Sequence, residues 1–197
     1  DWSSDVCSSD LCFINGTLVL YNGSDSTNYT VGGNGIRMGS EAYNSSPNAT
    51  FPGLFSNYRV SKGGIPTAYS TSSTTLGTAV FTPPTSPAST SDALSAGSYS
   101  LLTFQSNRFV DNSSNASTIT PVSSPSVSPA QPFTLPSTSA TYGSGYFDGT
   151  GDYLTTPSSS SLSFGTSDFT MEMWVYSGAN GTSTRLGGNG KIGRAHV

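Results

Sequence analysis

GYFDGTGDYLTTPSSSSLSFGTSDFTMEMWVY, residues 145–176, is the stretch whose reading decides the fold. Its last segment, FTMEMWVY at 169–176, alternates with a period of two. Phe169, Met171, Met173 and Val175 fall on one face of a strand, and Thr170, Glu172, Trp174 and Tyr176 on the other. Bulky residues on both faces predict a strand covered on both sides, or one with core on one side and a groove on the other. Upstream, FDGTGDYL sets Asp148 and Asp152 around two glycines. Gly accepts positive φ without penalty and Asp bonds its own backbone, so this segment predicts a tight turn inside a strand pattern.

The same pattern extends outward. Short apolar runs bounded by Gly, Asn, Ser or Pro recur at 12–14, 17–21, 35–38, 53–60, 100–105, 145–147, 153–155 and 169–176, and helical periodicity is nearly absent. Asn15-Gly16 and Asn22-Gly23 are tight-turn dipeptides. One helical turn is expected around Ala68, inside an irregular connection at 65–81. PPTSP at 83–87 followed by ASTSDALSAGS reads as a linker, since proline removes ladder donors. The Pro/Ser-rich stretch at 121–139 reads as a long, partly mobile loop.

Composition narrows the class. Charged residues make up only 9% of the chain, yet Tyr and Phe are frequent, which sets it apart from disordered low-complexity sequence. Short strands with many Gly/Pro turns point to an all-β protein. The formal net charge of -4, with no basic run, lacks the footprint of nucleic-acid binding. No apolar run reaches the roughly 20 residues that span a bilayer, so no membrane span is expected. Arg37, Arg59, Lys62, Arg108 and Arg185 are scattered, which reads as surface solvation.

The two ends share a peculiarity. KIGRAHV at 191–197 back-translates to AAG ATC GGA AGA GCA CAC GTC, whose reverse complement encodes DVCSSDL, the sequence at 5–11. The pair resembles a translated sequencing adapter read from both strands. Residues 1–11 and 191–197 are therefore expected to lie outside the fold, and the segment between them to be an internal piece of a longer reading frame. On that reading His196 and Cys7 belong to the ends, Cys12 is the one usable cysteine, and no disulfide is expected.

FDGTGDYL followed by DFTMEMWVY resembles the N-terminal half of a LamG-like, concanavalin A-like domain. FINGTLVLYNG, GIRMGSEAY and FPGLFSNYRVSKG, within 13–63, resemble the C-terminal half of such a domain. TAVFTPPTSP resembles its exit, and LLTFQSNRFVDNSSN the start of the next copy. The resemblance implies an all-β, jelly-roll β-sandwich, fragmentary or circularly permuted. It also implies two partial repeats: residues 12–82 from one copy, 83–98 as linker and 99–190 from the next. Tandem arrays of this wording resemble large virion or tail-associated structural proteins of marine phages. The function implied is a non-catalytic module that binds a glycan or a host-surface protein and sits beside other repeats of the same chain, in an extracellular or virion-associated setting. A purely architectural repeat of a virion or fibre is the alternative. A groove lined by exposed aromatics favours the binder, and a filled face favours the spacer.

Three sets of residues carry the candidate chemistry. Retaining glycosidases need two carboxyls about 5–5.5 Å apart. Concanavalin-fold glucanases, which the resemblance brings in as a second alternative, take them from one strand. Here 169–176 holds one acid, Glu172, and Glu41 is the only other glutamate, so no catalytic residue is assigned and a glucanase is disfavoured. Trp174 and Tyr176, with Glu172, are the candidate ligand-binding residues. Flat aromatics with a polar tip suit sugar rings, and they equally suit a sandwich core. Tyr43, Tyr58, Tyr69 and Tyr153 share that ambiguity. The resemblance also implies a possible Ca2+ at the sandwich rim, for which Asp111, Asp148 and Asp152 are the candidate ligands. Turn geometry explains the same three residues without a metal. No other cofactor is expected.

Overall fold

A computed structural model describes residues 2–8, 11–23, 27–30, 35–40, 50–106, 108–134, 142–178 and 187–188. The described chain is all-β, with one 3-10 turn at Thr67–Tyr69, where a helical turn was expected. The strands are β1 Trp2–Ser8, β2 Leu11–Ile14, β3 Thr17–Tyr21, β4 Arg37–Met38, β5 Pro52–Lys62, β6 Ser98–Thr103, β7 Thr120–Val122, β8 Ser126–Ser128, β9 Ser144–Asp148, β10 Tyr153–Thr155, β11 Phe169–Ser177 and β12 Gly187–Gly188. They form two antiparallel sheets. The larger runs β3-β2-β1-β11-β5-β9-β8, with β6 also on β5, and the smaller runs β12-β4-β10-β7. The layering is that of a β-sandwich.

β5 is the hub. It pairs with β11 along one edge, and its other edge is shared by β9, opposite Pro52–Phe55, and β6, opposite Tyr58–Lys62. Asn57 makes this sharing possible. Its φ of 53° forms a bulge where the β5–β11 register shifts between Glu172 and Trp174. Asn tolerates that left-handed conformation better than most residues. Its N–H donates to the Phe104 carbonyl at 3.0 Å, closing the gap where β6 ends. Strands from 12–82 and from 99–190 thus alternate within one sheet.

The core lies between the sheets. Phe55 stacks on Phe51 with ring centroids 4.5 Å apart and meets Phe147 at 5.2 Å. Phe164 stacks on Phe169 at 4.4 Å. Met38 and Leu154, register partners on β4 and β10, enter the same cluster from the smaller sheet. A second, smaller cluster joins Phe13 and Leu18 to Tyr69 and Phe81.

Several expectations change. FDGTGDYL does form a turn, but not the hairpin of the LamG-like pattern: β9 lies in the larger sheet and β10 in the smaller, so it is a corner between layers. Gly149 at φ 84° and Gly151 at φ 80° supply the sharp change of direction. Part of 121–139 is ordered, since β7 and β8 pair with β10 and β9 respectively. Residues 83–98 do not hang as a linker. Ala88 is buried, its N–H donating to Asn57 Oδ1 at 2.9 Å, and its carbonyl accepts from the Gln105 side chain. Its backbone groups thus bond the side chains of Asn57 on β5 and of Gln105 just past β6. Trp2–Ser8, expected outside the fold, pairs along β11 from Tyr176 to Thr170 and with β2 on its other side. Backbone N–H and C=O groups pair whatever the origin of the codons, and the edge of β11 would otherwise be open. Cys12 is disulfide-bonded, against expectation; Cys7, the only other cysteine, is its register partner on β1. Residues 191–197 lie outside the described residues.

Candidate functional site

β11 brings Glu172 and Trp174 to the face that the larger sheet turns away from the sandwich core, as its alternation requires. Opposite Glu172 in register is Arg59 of β5. The two are paired, Arg59 Nη2 to Glu172 Oε1 at 2.7 Å, and both are buried, Arg59 at 3% exposure and Glu172 at 6%. Arg59 Nη1 also binds the Asp92 carboxylate and the Ser89 carbonyl, both on the segment that crosses this face. Its guanidinium lies 4.5 Å from the Tyr99 ring centroid, and the Tyr99 hydroxyl donates to the Asp92 carbonyl at 3.2 Å. Tyr69 is buried and lines the same recess as Glu172. Arg59 thus ties together β5, β11 and the crossing segment.

Burial sets the electrostatics. It pushes the Glu172 carboxyl above the usual carboxylate range, with Arg59 pulling the other way but not cancelling it. Burial also works against the charge of Arg59, which Glu172 and then Asp92 override, holding the guanidinium above its ordinary range. Burial raises Tyr69 as well, and Tyr99 to about 12. These tyrosines and Arg59 therefore keep their protons at neutral pH, while Glu172 Oε2 and Arg59 Nε are buried with no hydrogen-bond partner among the described residues.

Trp174 is half-buried, and its ring meets Phe133 edge-on at 5.6 Å. With Glu172, Asn57, Tyr69, Pro84 and Ala88 it lines a recess whose interior has room for about one water molecule. No sugar ring enters such a space. Tyr176, two residues on, is 40% exposed.

The candidate metal ligands separate. Asp111 is buried, its Oδ1 accepting the N–H groups of Leu102 and Ser113 and its Oδ2 that of Ser117. Asp152 is buried at the inter-layer corner and accepts from Ser124 at 2.8 Å and Asp148 at 3.2 Å. Asp148 is exposed and accepts the Thr150 N–H at 2.6 Å. Among the described residues no group of three His, Cys, Asp or Glu side chains gathers as a metal site. The residues present do not fit a calcium shell: two of the three carboxylates are spent on backbone N–H groups where a cation needs free oxygens.

The remaining aromatics divide. Tyr58 is fully buried in the main core, with its hydroxyl 3.8 Å from Met171 Sδ, and Tyr69 belongs to the second cluster. Tyr153 lies under the Arg37 guanidinium at 4.9 Å. Tyr43 and Glu41 lie outside the described residues. Arg37 and Arg59, expected as surface charges, are both buried. The signal for Arg59 was present in FSNYRVSK, where a charge falls inside an apolar, strand-like run of a chain with few charges. Finding its partner requires the β5–β11 register. Comparison of the chain with protein-family models, curated proteins and solved structures finds no match in any of the three.

Proposed function

We propose that this chain is a non-catalytic architectural module: a β-sandwich unit that spaces or packs within a larger fibrous or virion-type assembly. The jelly-roll connectivity and the tandem setting belong to this reading and rest on the LamG-like resemblance. One observation carries it. The outer face around Glu172 and Trp174, where a glycan groove was expected, is filled by residues 83–98 and Phe133, leaving space for about one water. The carboxylate inventory supports the absence of catalysis. Glu172 is locked to Arg59, and the acid nearest it in the cluster, Asp92, is bound to the same guanidinium. A retaining pair needs one carboxyl free to attack and another to donate a proton.

The test joins function to shape. Head-to-tail concatemers of the chain should scatter X-rays as rods whose maximum dimension grows linearly with copy number, and should release no reducing ends from laminarin or a mixed-linkage β-glucan. Compact scattering independent of copy number would count against the spacer. Hydrolysis abolished by Glu172→Gln would replace it with an enzyme.

A further inference from the structure

The two outermost strands of the larger sheet differ. β8 presents one exposed apolar residue, Val127, between two serines. β3 begins under cover. Leu18 is fully buried, its N–H donating to the Thr78 carbonyl at 2.9 Å and its carbonyl accepting from Gly77 at 2.8 Å, and Thr17 bridges Ala79. Beyond Leu18 the cover stops. The β2–β3 register skips Val19, the extra residue of a bulge, and a bulge can terminate pairing along a strand. Val19, Leu20 and Tyr21 are then 42%, 50% and 45% exposed. Consecutive strand residues point to opposite faces, so both faces of β3 are accessible here. Leu76, 59% exposed, adjoins them, because it directly precedes Gly77. Four of the eight exposed large apolar side chains among the described residues thus gather at one corner of the sheet. The register neighbours of Leu20 and Tyr21, Cys12 and Leu11 of β2, are described, and the Tyr21 hydroxyl lies over Gly23, where a Cβ would clash with it.

We infer that this corner is a contact between two copies of the chain, which meet edge to edge across a two-fold axis at Leu20. Three features select a second copy. The run is self-complementary. Laid antiparallel against itself with Leu20 opposite Leu20, it sets Val19 of each copy against Tyr21 of the other, and β-branched residues pair well with aromatic ones across strands. The corner is also neutral in an acidic chain. Residues 11–23 and 71–82 hold no charged side chain, while the chain carries a net charge of -4. Two copies can therefore approach here without repulsion, and an anionic membrane finds no cation to attract it. Past the bulge the edge lacks the Lys or Pro that guards sheet edges against pairing. Area sets the strength. The four side chains offer on the order of 350 Å² per copy, below the roughly 800 Å² per partner of a stable dimer and within the range of weak, reversible contacts. The contact therefore forms at high local concentration, as among copies held close together. It is a property of the single chain, goes beyond the architectural role and does not depend on it.

Sedimentation equilibrium of the whole chain, from micromolar to millimolar concentration, tests the contact. A dimer is expected with a Kd of about 0.1–1 mM, tightening as salt screens the net negative charge. Leu20→Lys and Leu20→Glu should each weaken it about tenfold or more, because each variant sets like charges opposite one another. Mixed in equal amounts, the two variants should associate at least as tightly as the parent chain, a recovery that requires the two Leu20 positions to face each other. Leu76→Lys, which leaves the strand untouched, should weaken the dimer about threefold or more. Val127→Lys, on the opposite edge of the sheet, should change nothing. Thermal melts that match the parent chain confirm that each variant is folded. A chain that stays monomeric at millimolar concentration overturns the inference. So does a dimer indifferent to Leu20→Lys and Leu76→Lys, or one that the mixed variants fail to restore. Species larger than a dimer, dissolved by Val127→Lys, would replace the two-fold contact with head-to-tail pairing of β3 on β8.

Discussion

The outer face of β5 and β11 has two ends, and they use the same strands for opposite purposes. At the Lys62–Phe169 end, Arg59 and Glu172 are buried and paired, with Asp92 bound to Arg59 and the Tyr99 ring beneath its guanidinium. At the Gly53–Ser177 end, Tyr146 and Tyr176 are partly exposed, with the half-buried Leu54 between them in register. The bulge at Asn57 separates them. The sealed end contains charges and the open end contains rings, the reverse of the rule that apolar groups go inside. The reason is connectivity. The crossing segment brings its own carbonyls and Asp92, which need a cation beneath them, and Arg59 provides five donors in one planar group. At the other end the tyrosines are partly exposed, and an amphipathic ring with a polar tip can stand at such a position at little cost.

Breaking the pair is the strongest way to test this contrast. Arg59→Met should destabilise the chain by about 3–5 kcal/mol in urea titration, because it strands Glu172 as an unpaired buried carboxyl. Arg59→Met with Glu172→Met should recover most of that loss, since an apolar pair of similar volume avoids the desolvation cost. A double variant no more stable than the single would mean that Asp92 and the crossing segment, and not Glu172, depend on Arg59.

Trp174 stands at the border between the two ends. Trp174→Ala should cost about 2 kcal/mol, below the range for a fully buried tryptophan, through loss of its contact with Phe133. A cost near zero would move Trp174 to the exposed side of the comparison.

Acidity offers a finer probe. The folded state holds the Glu172 proton more tightly than the unfolded chain does, because burial raises that carboxyl. Stability attributable to Glu172 is therefore fully present below the unfolded carboxyl's ordinary value near 4.5 and is lost as pH rises toward the folded value. The difference in unfolding free energy between the parent chain and Glu172→Gln, measured across that window, should shrink with rising pH. A difference that grows with pH would mean that Arg59 outweighs burial and holds the carboxyl below its usual range.

The smallest effect belongs to the open end. Tyr146→Ser should shift stability by no more than about 0.5 kcal/mol, the range for exposed positions. A larger loss in thermal melts would show that Tyr146 supports the fold.

The all-β class was legible because period-two alternation and turn residues are local properties. Thr17–Tyr21, Tyr153–Thr155 and the strand at Phe169–Ser177 are found where the pattern predicts them. Asn15 at φ 50° and Gly16 at φ 77° form the turn that the dipeptide predicts. The candidate site was half legible. Alternation put Glu172, Trp174 and Tyr176 on one face, but could not tell that Glu172 is sealed and Tyr176 exposed, because that depends on which segment crosses above them. Tyr146 and Tyr176 are thirty residues apart and come into one row only through Leu54, which their spacing does not reveal.

The sequence by itself determined the strands, the tight turns and the scarcity of charge, since each follows from side-chain shape, backbone freedom and composition over a few residues. Only the tertiary structure decided that FDGTGDYL turns a corner between layers, that the proline-rich segment is a cover, that Asp111 and Asp152 serve the backbone, and that Arg59 is inside. All four are consequences of pairing between residues distant in the chain. A buried charge or carboxylate is acceptable only where its partners converge, and that convergence is a property of the register between strands and of the segment laid across them.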